Sequence, residues 1–385
     1  MINTTATKTP GTFRLVSLGD VHLGHHQTPT EHIIRNLDRH CTNETVLKDV
    51  DLLVITGDLF DRLLYNAEDS VVLIERWITR LLYKCSYLNV AIRIVEGTPS
   101  HDRGQSRFFI EQAQNAQIEI VIHYATTLSI EYIARWDIHV LYVPDKWRPD
   151  TQTTLEEVRH LLATHSLTQV DLAIMHGAFE YQLPDLVTEP THRSEIYLGL
   201  VRHYVLIGHV HLMTQHDRIL AAGSYDRICH GEEGPKGYFD VRIRPGGEDE
   251  IVFVENVGAK RYVTIPCHGL PIQEVNVLLR KAVETHPPGS AFRLRCHASD
   301  AITGDLEAIR RMYPNHQFTL TRDESRTASK ALQQVFDGAE DRVFTDITLE
   351  NLMDLLTPEL TRWVSDPDRQ GRVRDRLHSI LEQMA

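Results

Sequence analysis

The sequence predicts an α/β layered protein, and two observations carry that reading. Short apolar runs of four to six residues recur at 13–18, 52–56, 91–95, 139–143, 172–175, 204–207 and 219–222. Most are closed by Gly, Asp or His, as buried strands are. Helical periodicity appears between several of them: Val71, Ile74, Ile78, Leu81 and Leu82 share one helical face, as do Leu155, Val158, Leu161 and Leu162. Strand and helix alternating in this way build layers around a sheet. Between 237 and 257 two more strand-like runs flank the turn Pro245-Gly246-Gly247.

The organisation changes beyond that hairpin. Residues 259–325 carry three strand-like runs (262–265, 292–296, 318–321) and two helical stripes, Val275, Leu278, Leu279, Ala282 and Leu306, Ile309, Met312. They read as a small second α/β unit after a main domain at 13–258. Residues 1–12 are polar and expected to be disordered. Residues 326–345 read as a linker. Residues 346–385 hold two amphipathic stripes, Leu349, Leu352, Met353, Leu356 and Val373, Leu377, Ile380, Leu381, Met384, separated by Pro358.

Composition narrows the classes. The chain has 385 residues, room for two or three domains at about 150 residues each. Its formal net charge of −13 supplies no bulk attraction to DNA or to an acidic membrane. It holds 22 histidines but only five cysteines (Cys41, Cys85, Cys229, Cys267, Cys296), none in a CxxC pair, so any metal is held by nitrogen and oxygen. The cysteines read as reduced thiols, and no secretory or membrane-spanning run is found, so a cytoplasmic protein without a membrane partner is expected.

The breakers that close the strands carry the chemistry. In order they are Gly19-Asp20-Val21-His22, Gly57-Asp58-Leu59-Phe60-Asp61-Arg62, Gly97-Thr98-Pro99-Ser100-His101-Asp102, His176-Gly177 and Gly208-His209-Val210-His211. Strand carboxyl ends are where α/β sheets place ligands. Alternation along an extended chain would point Asp20 and His22 at one ion and set His209 and His211 on one face. A carboxylate such as Asp58 can bridge two ions about 3.5–4 Å apart. Each motif alone is weak; the ordered set is specific.

This ordered set resembles the calcineurin-like metallophosphoesterases, and within them the SbcD-type nucleases of double-strand-break repair and phage recombination. Ala222-Gly223-Ser224-Tyr225 and Glu232-Glu233-Gly234-Pro235-Lys236-Gly237-Tyr238 resemble that family's segment downstream of its GHxH motif. The match covers roughly residues 13–255. The resemblance implies a layered β-sandwich core flanked by helices, with a small α/β capping domain facing DNA and C-terminal helices docking an SbcC-type, SMC-like ATPase. It also implies a homodimer and two divalent metal ions, Mn foremost. Asp20, His22, Asp58 and His211 would hold the first ion. Asp58 would bridge to a second, held also by the residue at position 100, His176 and His209. His101 would act on the reacting phosphodiester, with Asp102 orienting it and Arg62 contacting a phosphate. The implied activity is two-metal hydrolysis of DNA, as exonuclease and possibly endonuclease.

One departure stands out. The family's loop reads Gly-Asn-His-Asp, with the Asn carbonyl on the second metal. Here the loop is two residues longer and offers Ser100 before His101. Two other readings compete. Asp58 to Arg62 also resembles the phosphatase version of its motif, which suggests a phosphomonoesterase or protein phosphatase. Ser100 in the Asn position suggests a degenerate site on a DNA-binding or assembly subunit. His25 and His26, just after the first motif, read as solvated surface.

Overall fold

The computed structural model describes residues 11–323 apart from 66, 184–189, 298, 299 and 305. The linker and terminal helices expected beyond 325 lie outside the described residues, as does most of the expected disordered N-terminus. The chain begins β1 (Phe13–Leu18), α1 (Thr30–His40), α2 (Glu44–Leu47), β2 (Leu52–Ile55), α3 (Asp69–Leu88), β3 (Ala91–Val95), α4 (Phe108–Asn115) and β4 (Ile122–Ala125). It continues β5 (Ser129–Ile133), β6 (Ile138–Val143), α5 (Thr151–Thr164), β7 (Val170–Gly177), α6 (Ser194–Leu200) and β8 (Val201–His209). Then come β9 (Thr214–His216), β10 (Ile219–Ala221), β11 (Gly237–Ile243) and β12 (Glu250–Glu255). A last set holds β13 (Tyr262–Pro266), α7 (Ile272–Thr285), β14 (Ala291–His297), α8 (Leu306–Met312) and β15 (Gln317–Asp323).

The strands form two six-stranded mixed sheets, β12-β11-β1-β2-β3-β4 and β5-β6-β7-β8-β10-β9, and a parallel three-stranded sheet β13-β14-β15. Three apolar cores show how the large sheets are layered. Leu15, Leu52, Val54 and Val95 of the first sheet meet Tyr142, Leu172, Ile174 and Leu206 of the second. The other face of the first sheet packs on α1, α3 and α4 through Ile33, Leu37, Trp77, Leu81 and Phe109. That of the second packs on α5 and α6 through Leu155, Val158 and Tyr197. The result is helix, sheet, sheet, helix, the layered α/β fold the patterning predicts. Central strands sealed on both faces are mostly apolar, which is why their runs are nearly continuous in the sequence.

The third sheet has its own core, with Val275, Leu279, Phe292, Leu294 and Phe318 buried. It belongs nonetheless to the same compact unit as the two large sheets, and the division of the chain falls after Asp323. Tyr262 shares a hydroxyl contact of 2.7 Å with Thr28, and Lys260 donates its backbone N–H to Asp226. Two stripe positions differ from expectation: Leu278 and Met312 are solvent-exposed, at the edges of helical faces that cover only three strands.

One polar pair lies between the large sheets. Arg93 on β3, 1% exposed, makes two 2.8 Å bonds to Glu131 on β5, which also accepts 2.6 Å from the Tyr142 hydroxyl. Removing one partner of a buried pair strands the other. Arg93→Ala is therefore expected to lower stability by about 3–5 kcal/mol in urea unfolding, and Arg93→Met with Glu131→Leu and Tyr142→Phe, which strands no polar group, to recover most of the loss.

Candidate metal centre

The strand ends converge. Asp20, His22 and His211 bring ligand atoms within 4.8 Å of one another, and so do Asp58, His176 and His209. Asp58 also groups with His22 and His101, which places it between the two clusters. The ligands do not get there by alternation along a strand. β1 stops at Leu18, and Asp20 and His22 both hold left-handed backbone, with φ of 49° and 53°. Asp58 (48°) and His209 (110°) are also at positive φ. Such residues cost on the order of 1–3 kcal/mol each and persist only where the surroundings hold them. The loops crowd tightly enough to require glycine. A Cβ on Gly57 would sit 2.3 Å from the His176 ring, and one on Gly97 2.2 Å from the Asp58 nitrogen.

Three imidazoles are aimed by what they bond on their outer side. His176 Nδ1 is 2.6 Å from the Thr56 carbonyl, which accepts its proton and turns Nε2 toward Asp58 at 3.3 Å. His211 Nδ1 is 2.9 Å from Glu232, and His22 Nδ1 is 3.3 Å from Asp61. Metal-binding histidines are commonly fixed in this way. The inner nitrogens of His22 and His211 then face each other at 3.0 Å. That is about the separation of two nitrogens bonded to one ion at about 2.1 Å and a right angle, so the donor set fits a metal. Glu232 is held in turn by Lys236 Nζ at 3.1 Å and Ser224 Oγ at 3.2 Å. The downstream segment noted in the sequence thus braces His211. The Thr56 carbonyl escapes a reading of the sequence because a backbone group leaves no signature, and Asp61, although part of the second motif, is given no role by its position alone.

The third loop differs from expectation. Ser100 is exposed, and its carbonyl accepts from Arg103. The hydroxyl at the cluster is Thr98's, 3.0 Å from Asp58 Oδ2, 3.3 Å from His176 Nε2 and 3.4 Å from His209 Nδ1. The two extra residues loop outward, and the backbone of His101 returns to donate to the Thr98 carbonyl at 2.8 Å. Asp102 does not orient His101 either. Its buried carboxylate accepts the backbone N–H groups of Asp58, Gly97 and Phe60 at 2.9–3.0 Å. Burial pushes this carboxyl up to about 7, with Asp58 adding to the rise and the N–H groups opposing it. His101 groups with His22 and Asp58, and its Nδ1 lies 3.3 Å from the His22 Nδ1 that also meets Asp61. Arg62 makes a half-exposed bidentate pair with Glu68, at 2.9 and 2.5 Å, so a phosphate there would have to compete with that carboxylate.

Protonation follows from the same contacts. Burial alone would lower the His176 imidazole, but the Asp58 carboxylate outweighs it and holds the group up to about 10. The same contact keeps Asp58 well below the usual carboxylate range in spite of burial. In the metal-free protein a proton on His176 therefore occupies the place an ion would take. Two outcomes are expected. Binding must displace that proton, so apparent affinity rises with pH below about 10, by about tenfold per unit for each proton released. Calorimetry in two buffers of different ionisation enthalpy counts the protons. Thr98→Ala should weaken the ion at Asp58, His176 and His209 by about 10- to 100-fold, while Ser100→Ala leaves it unchanged in a metal titration.

No protein-family model matches the chain, and no curated protein matches it. Among solved structures, the crystal structure of TT1561 of Thermus thermophilus is 11% identical, with a TM-score of 0.36. The match covers 63% of this chain and 99% of that one. A second crystal structure is 12% identical over 63% of this chain and 99% of its own, with a TM-score of 0.35.

Proposed function

We propose that the chain is a metal-dependent DNA nuclease that hydrolyses phosphodiester bonds, with two divalent ions, Mn foremost. The observation that carries this reading is the pair of His/Asp clusters around Asp58, with His101 beside them. One ion would rest on Asp20, His22, Asp58 and His211, the other on Asp58, Thr98, His176 and His209. When bound, two such ions supply Lewis-acid polarisation of the phosphate and a strong nucleophile at neutral pH. The protein's part is positional. Glu232, Asp61 and Thr56 fix the rings, and Asp102 fixes the loops that carry Asp58 and Thr98. His101, half-buried and with its proton affinity lowered by that burial, stands where it can hand a proton to or from a bound phosphodiester.

DNA as substrate rests on the resemblance to SbcD-type nucleases and on the braced Glu232–Lys236 segment. The small third sheet, a unit a phosphatase core does not need, supports it too. The pairing of Arg62 with Glu68 bears equally on the nuclease and the phosphatase, since both readings give that arginine a phosphate. The SbcC-type ATPase and the homodimer belong to the same proposal. Among the described residues no helix is long and apolar enough to cross a membrane.

Purified full chain with Mn should degrade end-labelled duplex DNA and leave phosphoserine peptide intact. His101→Ala should lower cleavage by about 100-fold or more while metal content, read by elemental analysis, stays the same. Rapid peptide turnover with inert DNA would instead support the phosphatase, and no hydrolysis of either would support a degenerate subunit.

A further inference from the structure

Away from the metal clusters, five basic side chains line a cavity of about 260 Å³ where α1 meets the segment leading into the third sheet. His32, Arg35 and Arg39 come from α1, and Lys260 and Arg261 from the segment, while residues 287–290 also line the cavity. The cations are poorly matched. Arg39 donates to the Asn36 side-chain oxygen, and Arg39 and Arg261 have no carboxylate partner among the described residues. Arg35 holds only an exposed pair with Glu31 at 3.2 Å, a contact worth little. Lys260 is 4% exposed, and its ammonium donates to the Gln27 carbonyl and to Gln317 rather than to an acid.

The acidic groups close by are Glu31 and Asp226. Asp226 is fully buried and already bonded by Asn36 at 2.7 Å, His32 at 3.3 Å and the Lys260 backbone. Positive charge is left over here, in a chain of net −13. Gly258 protects the arrangement: a Cβ there would lie 2.4 Å from both the Arg39 guanidinium and the Asn36 oxygen.

We propose that this cavity is a phosphate-binding site that ties α1 to the third sheet. Two guanidinium forks without a carboxylate suit phosphate oxygens, which accept paired N–H bonds. The volume falls below the ~300 Å³ at which sites for drug-sized ligands begin, so it admits a phosphate group and not a whole nucleotide. That group can be a free phosphate or one carried on a DNA strand. The assignment does not depend on the metal centre or on nuclease activity.

The test compares the full-length wild type with the neutral double variant Arg39→Gln/Arg261→Gln, both in EDTA so that neither metal nor cleavage intervenes. Circular dichroism checks that the variant is folded, and Arg35→Gln is run beside it as a second, exposed substitution. Thermal unfolding is followed in phosphate and in chloride at matched ionic strength, and duplex binding is measured across a salt series. A free-phosphate site predicts that phosphate raises the wild-type Tm by more than it raises the double variant's, since exclusion of phosphate from the surface stabilises both alike. A backbone-phosphate site predicts that the slope of log affinity on log salt shrinks by about 1.8 in the double variant, two contacts at about 0.9 each. An equal response of both Tm values to phosphate together with an unchanged slope overturns the proposal.

Discussion

The Asp102 carboxylate is the contact on which the rest of the site depends. It is fully buried, and it gathers backbone N–H groups from the loop after β2 and the loop after β3. Neither loop has regular partners for those groups, and burying them unbonded would cost about 1–3 kcal/mol each. By holding both loops, Asp102 sets the distance between Asp58 and Thr98, and with it the junction between the two clusters. The ring of His101 takes no bond from Asp102; its backbone is held instead by the Thr98 carbonyl.

The site is otherwise a matter of aiming imidazoles. A histidine ring offers two nitrogens, and which one faces inward is decided by what holds the other. Here a carbonyl, an aspartate and a glutamate do so for His176, His22 and His211. Strained backbone at Asp20, His22, Asp58 and His209 sits on the rims of two well-packed sheets. The rigidity of those sheets is what sustains it, since each central strand is sealed on both faces.

The central strands and most ligand residues are legible in the sequence, because a doubly buried strand is mostly apolar and its breaker is conspicuous. Edge strands are legible only in part. β12, β13 and β15 stand out, but β4 reads Ile-His-Tyr-Ala and β9 Thr-Gln-His, and both are partly exposed and mixed in polarity. α1 escapes notice because it has only three apolar residues, Ile33, Ile34 and Leu37, all buried among polar and charged neighbours. Within the site, adjacency in the chain misleads twice. Asp102 follows His101 but bonds other loops, and Ser100 precedes it but lies in solvent. Arg62 is ambiguous because its partner, Glu68, lies six residues on and outside any motif. Four of the cysteines are buried and Cys229 is exposed, and among the described residues none falls in a candidate ligand cluster.

The outward turn at Pro99 and Ser100 has a consequence for what can be attached beside the centre. The His101 N–H closes back on the Thr98 carbonyl, so Pro99 and Ser100 form the corner of a four-residue turn, and both are exposed. That corner is a natural place to graft a reporter group or an affinity handle within reach of the centre without displacing any of its donors.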